Sequence, residues 1–306
     1  MSPNETAGDR YSLPGLIALY AYEPSLRDVY VEGRVDVGLL TWYLRESGLD
    51  EAAVFAIDDR LDILASDLPH AGLEVNARGR AIALAAYCDK ELGNKQLGVT
   101  VVVDADFDHL AGVTHLTCLH VTDHPTMEGY VLAERPLEKL LRVSLHQPRR
   151  VTASMVRAAV IPALNDICAV RFVLHSVSIA CIDDIASVCT LSTEASAADM
   201  RELLRRSLTG VRKDEWPESL DKLTARARVA REAVSRLGLT GRGHDIAPVL
   251  IAFLELKGVA ANRESLEMAM RSCFEAEDLD GQPLFEALSP IGGLIGIGAL
   301  AKPHVQ

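Results

Sequence analysis

The chain has 306 residues, of which 49% are apolar, and a formal charge of −12 at neutral pH. This length allows one large domain or two ordinary ones, with ample apolar content for a core. The acidic balance excludes a general DNA-coating protein, because phosphate binding draws on positive charge, and leaves only local nucleic-acid contacts.

No charged leader followed by an apolar run opens the chain, and no stretch is expected to reach the roughly 18 apolar residues of a membrane span, so the expected location is cytoplasmic. Cys88, Cys118, Cys168, Cys181, Cys189 and Cys273 lie mostly in apolar segments without a CxxC pair. They read as reduced core residues rather than zinc ligands or a disulfide framework.

After a polar start, Pro14 to Tyr22 is apolar enough to pack or to form a first strand. VYVEG (Val29 to Gly33) reads as a short buried strand breaking at Glu32-Gly33, and Asp36 to Glu46 has helical spacing. Val54 to Ile57 is a second strand ending in Asp58 and Asp59, and Arg80 to Leu92 a second helix. The third strand, Val99 to Val103, is β-branched throughout and runs into Asp104, Asp106 and Asp108. Such a run fits a parallel strand buried on both faces. Leu116 to Val121 is the fourth strand, followed by a turn from Asp123 into a helix carrying Glu128.

Strands alternating with helices imply a parallel sheet flanked by helices, an α/β layer. From about residue 136 the pattern turns mainly α-helical: Val151 to Leu164, Ile167 to Val188, Ala197 to Leu208, Leu220 to Leu237, Asp245 to Leu256 and Arg263 to Glu275, with a strand also compatible with Phe172 to Ile182. The expected division is therefore 1–135 and 136–306. Charge shifts with it, from nine basic against twenty acidic residues over Met1 to Pro125 to eleven against six over Arg201 to Arg242. The tail Pro290 to Leu300 is glycine-rich and reads as a small-residue packing interface.

In parallel α/β sheets ligands sit outside the carboxyl ends of the strands. Glu32, Asp58, Asp59, Asp104, Asp106, Asp108, Asp123 and Glu128 all fall there. Asp104 and Asp106 are two apart and share a direction in extended backbone, so their repulsion calls for a cation or a shared proton. Oxygen ligands without a His and Cys cluster point to Mg²⁺ or Mn²⁺ and to phosphoryl transfer. Asp104 and Asp106 would be the main ligands, Glu128 a supporting one, and Glu32 a ligand or the proton-transfer group, with Gly33 permitting close approach. Asp36 is either a dipole partner of its helix or metal support. For substrate contact the candidates are Arg78 and Arg80 around Gly79, His244 in GRGHD with Asp245 as a helix cap, and Arg205, Arg206, Arg212, Lys213, Arg226, Arg228 and Arg231 along a helical face. His120 and His124 read as structural.

VYVEGRVD (Val29 to Asp36), VVVDADFD (Val101 to Asp108), TMEGYVL (Thr126 to Leu132) and GHD (Gly243 to Asp245) together resemble TOPRIM-related proteins. The similarity is to the nuclease effector of PARIS anti-phage defence systems and, more loosely, to OLD-family nucleases. The resemblance covers roughly the first 135 residues, within the usual size of one domain. It implies an α/β TOPRIM-like sheet in which Glu32, Asp104, Asp106 and Glu128 bind metal and cleave nucleic acid, tRNA foremost and DNA still open. It further implies a helical second half for dimerisation, substrate contact and docking on an ABC-type ATPase sensor. Gly129, where a polar residue is expected, and Arg80, where lysine is more usual, depart from the pattern.

Two other classes stay open: a non-catalytic regulatory subunit partnered with an ATPase, and a DxD-type phosphatase forming an aspartyl phosphate at Asp104. The enzyme reading requires that Glu32 point toward Asp104 and not be neutralised by an arginine inside the core.

Overall fold

A computed structural model describes residues 10–64, 75–92, 98–112, 115–147, 150–192, 196–256, 258 and 262–289. The polar start at 1–9 and the glycine-rich segment at 290–300 lie outside the described residues. The chain divides into two compact units: the first is drawn from Met1–Asp104, Thr114–Thr122 and Asp280–Gln306, the second from Ala105–Val113 and Asp123–Leu279.

In the first unit four strands, β1 (Asp28–Val31), β2 (Ala53–Ala56), β3 (Val99–Val103) and β4 (Leu119–Val121), form one parallel sheet in the order β2-β1-β3-β4. Val29 lies opposite Val54 on one side and Thr100 on the other, and Val101 opposite Leu119. β1 and β3 are thus central and buried along their whole length. That is why they read as unbroken apolar runs rather than alternating ones.

Helix α1 (Leu13–Tyr22) and helix α3 (Ala77–Leu92) pack on the face carrying Tyr30, Val99, Val101 and Val103, through Leu13, Leu16, Tyr20, Leu84 and Cys88. Helix α2 (Arg34–Glu46) buries Leu40, Tyr43 and Leu44, and the Tyr43 ring meets Phe285 edge-on at 4.7 Å. The segment Pro14 to Tyr22 is therefore a helix and not a strand. Ser12 Oγ accepts the Gly15 N–H at 3.3 Å, a proline stands in the first turn, and the buried positions follow helical spacing. Capping chemistry decided the element.

The second unit is built on α4 (Ala153–Ser176), against which α5 (Met200–Ser207), α6 (Leu220–Arg236) and α7 (Gly243–Leu256) pack, with α8 (Arg263–Ser272) against α7. The expected break between Leu164 and Ile167 does not occur. Asp166 sits buried in mid-helix because its carboxylate accepts the Ala198 N–H at 3.0 Å and the Arg231 Nε–H at 3.1 Å. Ala198 belongs to a short antiparallel pair, β5 (Cys189–Thr190) and β6 (Ala197–Ala198). Helix therefore ends at Ser176 rather than continuing to Val188, and no strand forms over Phe172 to Ile182. Contrary to expectation, α4 is long and apolar enough by length and composition to cross a membrane. However, 67% of its most apolar stretch is buried within the protein. With Asp166 and Arg171 both in ion pairs, it serves as a core helix.

Gly98 shows how tightly the central strands are seated. A Cβ there would lie 1.5 Å from the Leu26 carbonyl oxygen, and the Gly98 carbonyl accepts the Asp28 N–H at 2.6 Å, which sets β1 beside β3. Gly98→Ala is expected to cost about 2 kcal/mol or more, in the manner of an overpacked core. Urea unfolding followed by far-UV circular dichroism reads this, and an unchanged midpoint would mean that the Leu26 turn yields freely.

Candidate metal centre

Within the first unit, Glu32 follows β1 directly and Asp104 follows β3, its neighbour in the sheet. Glu32 Oε1 accepts the Asp104 backbone N–H at 2.9 Å. The carboxylate therefore reaches across to the end of the next strand, as the reading of this edge requires. The same oxygen also receives Arg78 Nη1 at 3.3 Å, and Arg78 donates to the Asp104 carbonyl oxygen as well. Glu32 is thus paired with an arginine, though at the strand ends and not in the core: the two side chains keep 24% and 17% of their surface. Glu32 and Asp104 are joined here through the backbone and one guanidinium.

The other first-unit acids have different occupations. Asp58 holds Arg80 in a two-pronged contact at 2.5 and 2.7 Å, and Asp59 holds Arg34 at 2.6 Å. Arg80, expected to meet substrate, is committed to Asp58, whereas Arg78 is the arginine at Glu32. Gly33 is not required for close approach, since a Cβ there would meet only Asp36 Oδ2 at 3.7 Å, an ordinary contact. Gly33 serves instead as the N-cap residue of α2, which places Asp36 in its first turn.

In the second unit Asp106 adopts a left-handed conformation, φ 46°, while its N–H donates to the Pro125 carbonyl at 2.9 Å. A non-glycine residue in that region is uncommon and is held there by its surroundings. Its Oδ1 pairs with Arg242 Nη2 at 3.1 Å. Glu128 stands in a 3₁₀ turn, Met127–Leu132, rather than in an α-helix. Its Oε1 takes two bonds from Arg271, at 2.6 and 3.1 Å, with 13% of the side chain exposed. The glycine of GHD stands against it, because a Cβ at Gly243 would lie 2.2 Å from Glu128 Oε2. Gly129 has a similar reason: a Cβ there would meet His124 Cβ at 2.4 Å and Thr240 Oγ1 at 2.7 Å, so the polar side chain expected after the glutamate has no room. Asp123 accepts the Tyr130 hydroxyl at 2.7 Å, a structural use. His120 and His124 are held below the usual histidine range by burial.

Asp245 is not a helix cap. It sits fully buried in the first turn of α7, and its Oδ1 accepts from Arg171 Nη2 at 2.6 Å. His244 is exposed beside it and lines a cleft with Arg171, Arg242 and Arg263. Along the basic face, Arg205 and Arg206 both pair with Glu202, Arg212 with Glu215, Arg226 with Glu218 and Arg231 with Asp166. The pairs that Arg205, Arg206 and Arg212 make at the surface are individually weak, whereas Arg231 meets a buried carboxylate. No family model matches this sequence, and no curated protein matches it.

The donor chemistry at Glu32 and Asp104 suits a hard cation held by one or two carboxylates, which takes its remaining ligands from water and phosphate. Among the described residues, however, no three His, Cys, Asp or Glu side chains gather as a metal-holding group. Arginines supply the counter-charge: Arg78 at Glu32, Arg242 at Asp106 and Arg271 at Glu128. No periodicity marks these partners in the sequence. The nearest signal is that Arg78 opens α3 and Arg242 immediately precedes α7.

Gly243→Ala is expected to destabilise the protein by roughly 1–3 kcal/mol, because Glu128 must leave its seat. In a Glu128→Ala background the penalty should largely vanish. A double-mutant cycle by urea denaturation measures the coupling, and additive effects would place the clash elsewhere.

Proposed function

We propose that this protein is a metal-dependent nuclease that hydrolyses phosphodiester bonds. Glu32 and Asp104 are the carboxylates that hold Mg²⁺ or Mn²⁺, and Asp106 and Glu128 are the further acids that the TOPRIM resemblance assigns to the same task. The bound ion would neutralise phosphate charge and activate the attacking water. The chain's own groups position and exchange protons: Glu32, fixed by the Asp104 N–H, serves as ligand or proton acceptor, and Arg78, released from it, is placed to meet the phosphate.

The observation carrying this reading is the bond from the Asp104 N–H to the Glu32 carboxylate, which joins acidic residues at the carboxyl ends of two adjacent parallel strands. That is where parallel α/β sheets place their ligands. By the same resemblance we propose tRNA as the foremost substrate, with DNA open. The biological role would be that of toxic effector in a cytoplasmic anti-phage system, dimeric when active and restrained by an ABC-type ATPase.

One observation favours a second reading, a non-catalytic subunit that binds the ATPase: Glu32, Asp106 and Glu128 each already have an arginine partner. Incubating the purified chain with Mg²⁺ or Mn²⁺ and labelled tRNA, single-stranded DNA and duplex DNA separates the two. Cleavage is expected, falling at least about a hundredfold in Glu32→Ala. Absence of cleavage, both alone and after release from a partner, together with unchanged cellular toxicity of Glu32→Ala, would establish the second reading.

A further inference from the structure

Within the second unit, Asp106 and Glu128 both border the loop segment Arg242-Gly243. The Asp106 N–H donates to the Pro125 carbonyl at 2.9 Å, and Thr126 Oγ1 accepts the Gly243 N–H at 2.7 Å. Arg242 pairs with Asp106 at 3.1 Å, and Gly243, the next residue, lies against Glu128 Oε2. Two acids that the TOPRIM resemblance assigns to metal therefore meet guanidiniums instead, Asp106 that of Arg242 and Glu128 that of Arg271.

The two pairs are unequal. Arg242 reaches an acid that keeps 29% of its side-chain surface. Arg271, in the last turn of α8, puts both Nε and Nη2 on Glu128 Oε1, at 3.1 and 2.6 Å, and Glu128 keeps only 13%. A carboxylate so enclosed requires a cation beside it, because a buried charge left alone is costly. Arg271 and a divalent ion cannot share Oε1: both are positive, and the two N–H groups already take up the lone pairs of that oxygen. Arg271 itself keeps 34% of its surface, so its long side chain has solvent to swing into while α8 stays in place.

We propose that Arg271 is a displaceable counter-ion that withholds Glu128 from Mg²⁺ or Mn²⁺, an inhibitory contact built into the fold. The inference rests on the nuclease reading in taking Glu128 as a metal-facing acid, and it adds a control to that reading. Affinities linked in this way are reciprocal. Whatever draws Arg271 off Glu128 raises the affinity for the ion, and the ion in turn frees Arg271.

Titration of the full chain with Mn²⁺, followed by electron paramagnetic resonance of the free ion, tests it. Arg271→Gln, whose fold circular dichroism checks, is expected to bind Mn²⁺ at least about tenfold more tightly than the parent, a difference of about 1.4 kcal/mol. The gain should vanish when both chains also carry Glu128→Ala. Arg263→Gln, which removes an exposed charge elsewhere on α8, should keep the parent affinity. If Arg271→Gln does not fold, Arg271→Lys is read in its place: it keeps the charge, loses the two-pronged contact and should bind Mn²⁺ about threefold more tightly. Parent-level affinity in the folded Arg271 variant overturns the proposal. So does a gain that survives Glu128→Ala, or an equal gain in Arg263→Gln. Tighter Mn²⁺ binding without cleavage of any nucleic acid removes the nuclease reading and leaves this contact standing, whereas cleavage with unchanged Mn²⁺ affinity does the reverse. Failure of every form to bind Mn²⁺ overturns both.

Discussion

The constraint that organises this protein is the need to balance negative charge where strands end. A parallel sheet delivers the residues after each strand to one edge, and in this chain those residues are acidic. Like charges held close together raise one another's cost of ionisation unless a positive group intervenes. Arginine intervenes at five of these acids, Arg78 at Glu32, Arg80 at Asp58, Arg34 at Asp59 and, in the second unit, Arg242 at Asp106 and Arg271 at Glu128, whereas Asp123 accepts the Tyr130 hydroxyl.

These pairings differ in strength, and the difference follows exposure. Arg34 is largely exposed, so its bond to Asp59 is screened and contributes little. Arg171 and Asp245 are almost fully enclosed, so removal of either would strand a buried charge at a cost of about 3–5 kcal/mol. Glu32 and Arg78 lie between these extremes, enclosed enough to be fixed and open enough for a guanidinium to exchange one oxyanion for another. Under the nuclease reading we propose, the arginine that neutralises the carboxylate at rest would also meet the incoming phosphate.

The second unit solves its polar burial differently. Asp166 interrupts the apolar surface of its long central helix, yet it is satisfied by a backbone N–H and an arginine from two other segments. It thereby fixes a short hairpin and a neighbouring helix to the core helix. Arg171, a little further along the same helix, anchors the first turn of the helix that begins at Gly243. Specific pairing inside an otherwise apolar bundle restricts how its helices can sit.

Read alone, the sequence determined four strands, begun at Val29, Val54, Val99 and Leu116, and their parallel sense, because buried β-branched runs alternating with helical spacing admit few other arrangements. It also determined that acids would follow each strand. It left Pro14 to Tyr22 open between packing and a first strand, which a cap resolved as a packed helix, and it misjudged the break near Asn165, where partners distant in sequence made a buried aspartate tolerable. Only the tertiary structure decided which arginine meets which acid, that Gly243 and Gly129 lie where a side chain would collide, and that Asp245 is enclosed rather than capping. Those outcomes depend on contacts between residues as much as 143 positions apart, and local spacing carries no record of such distances.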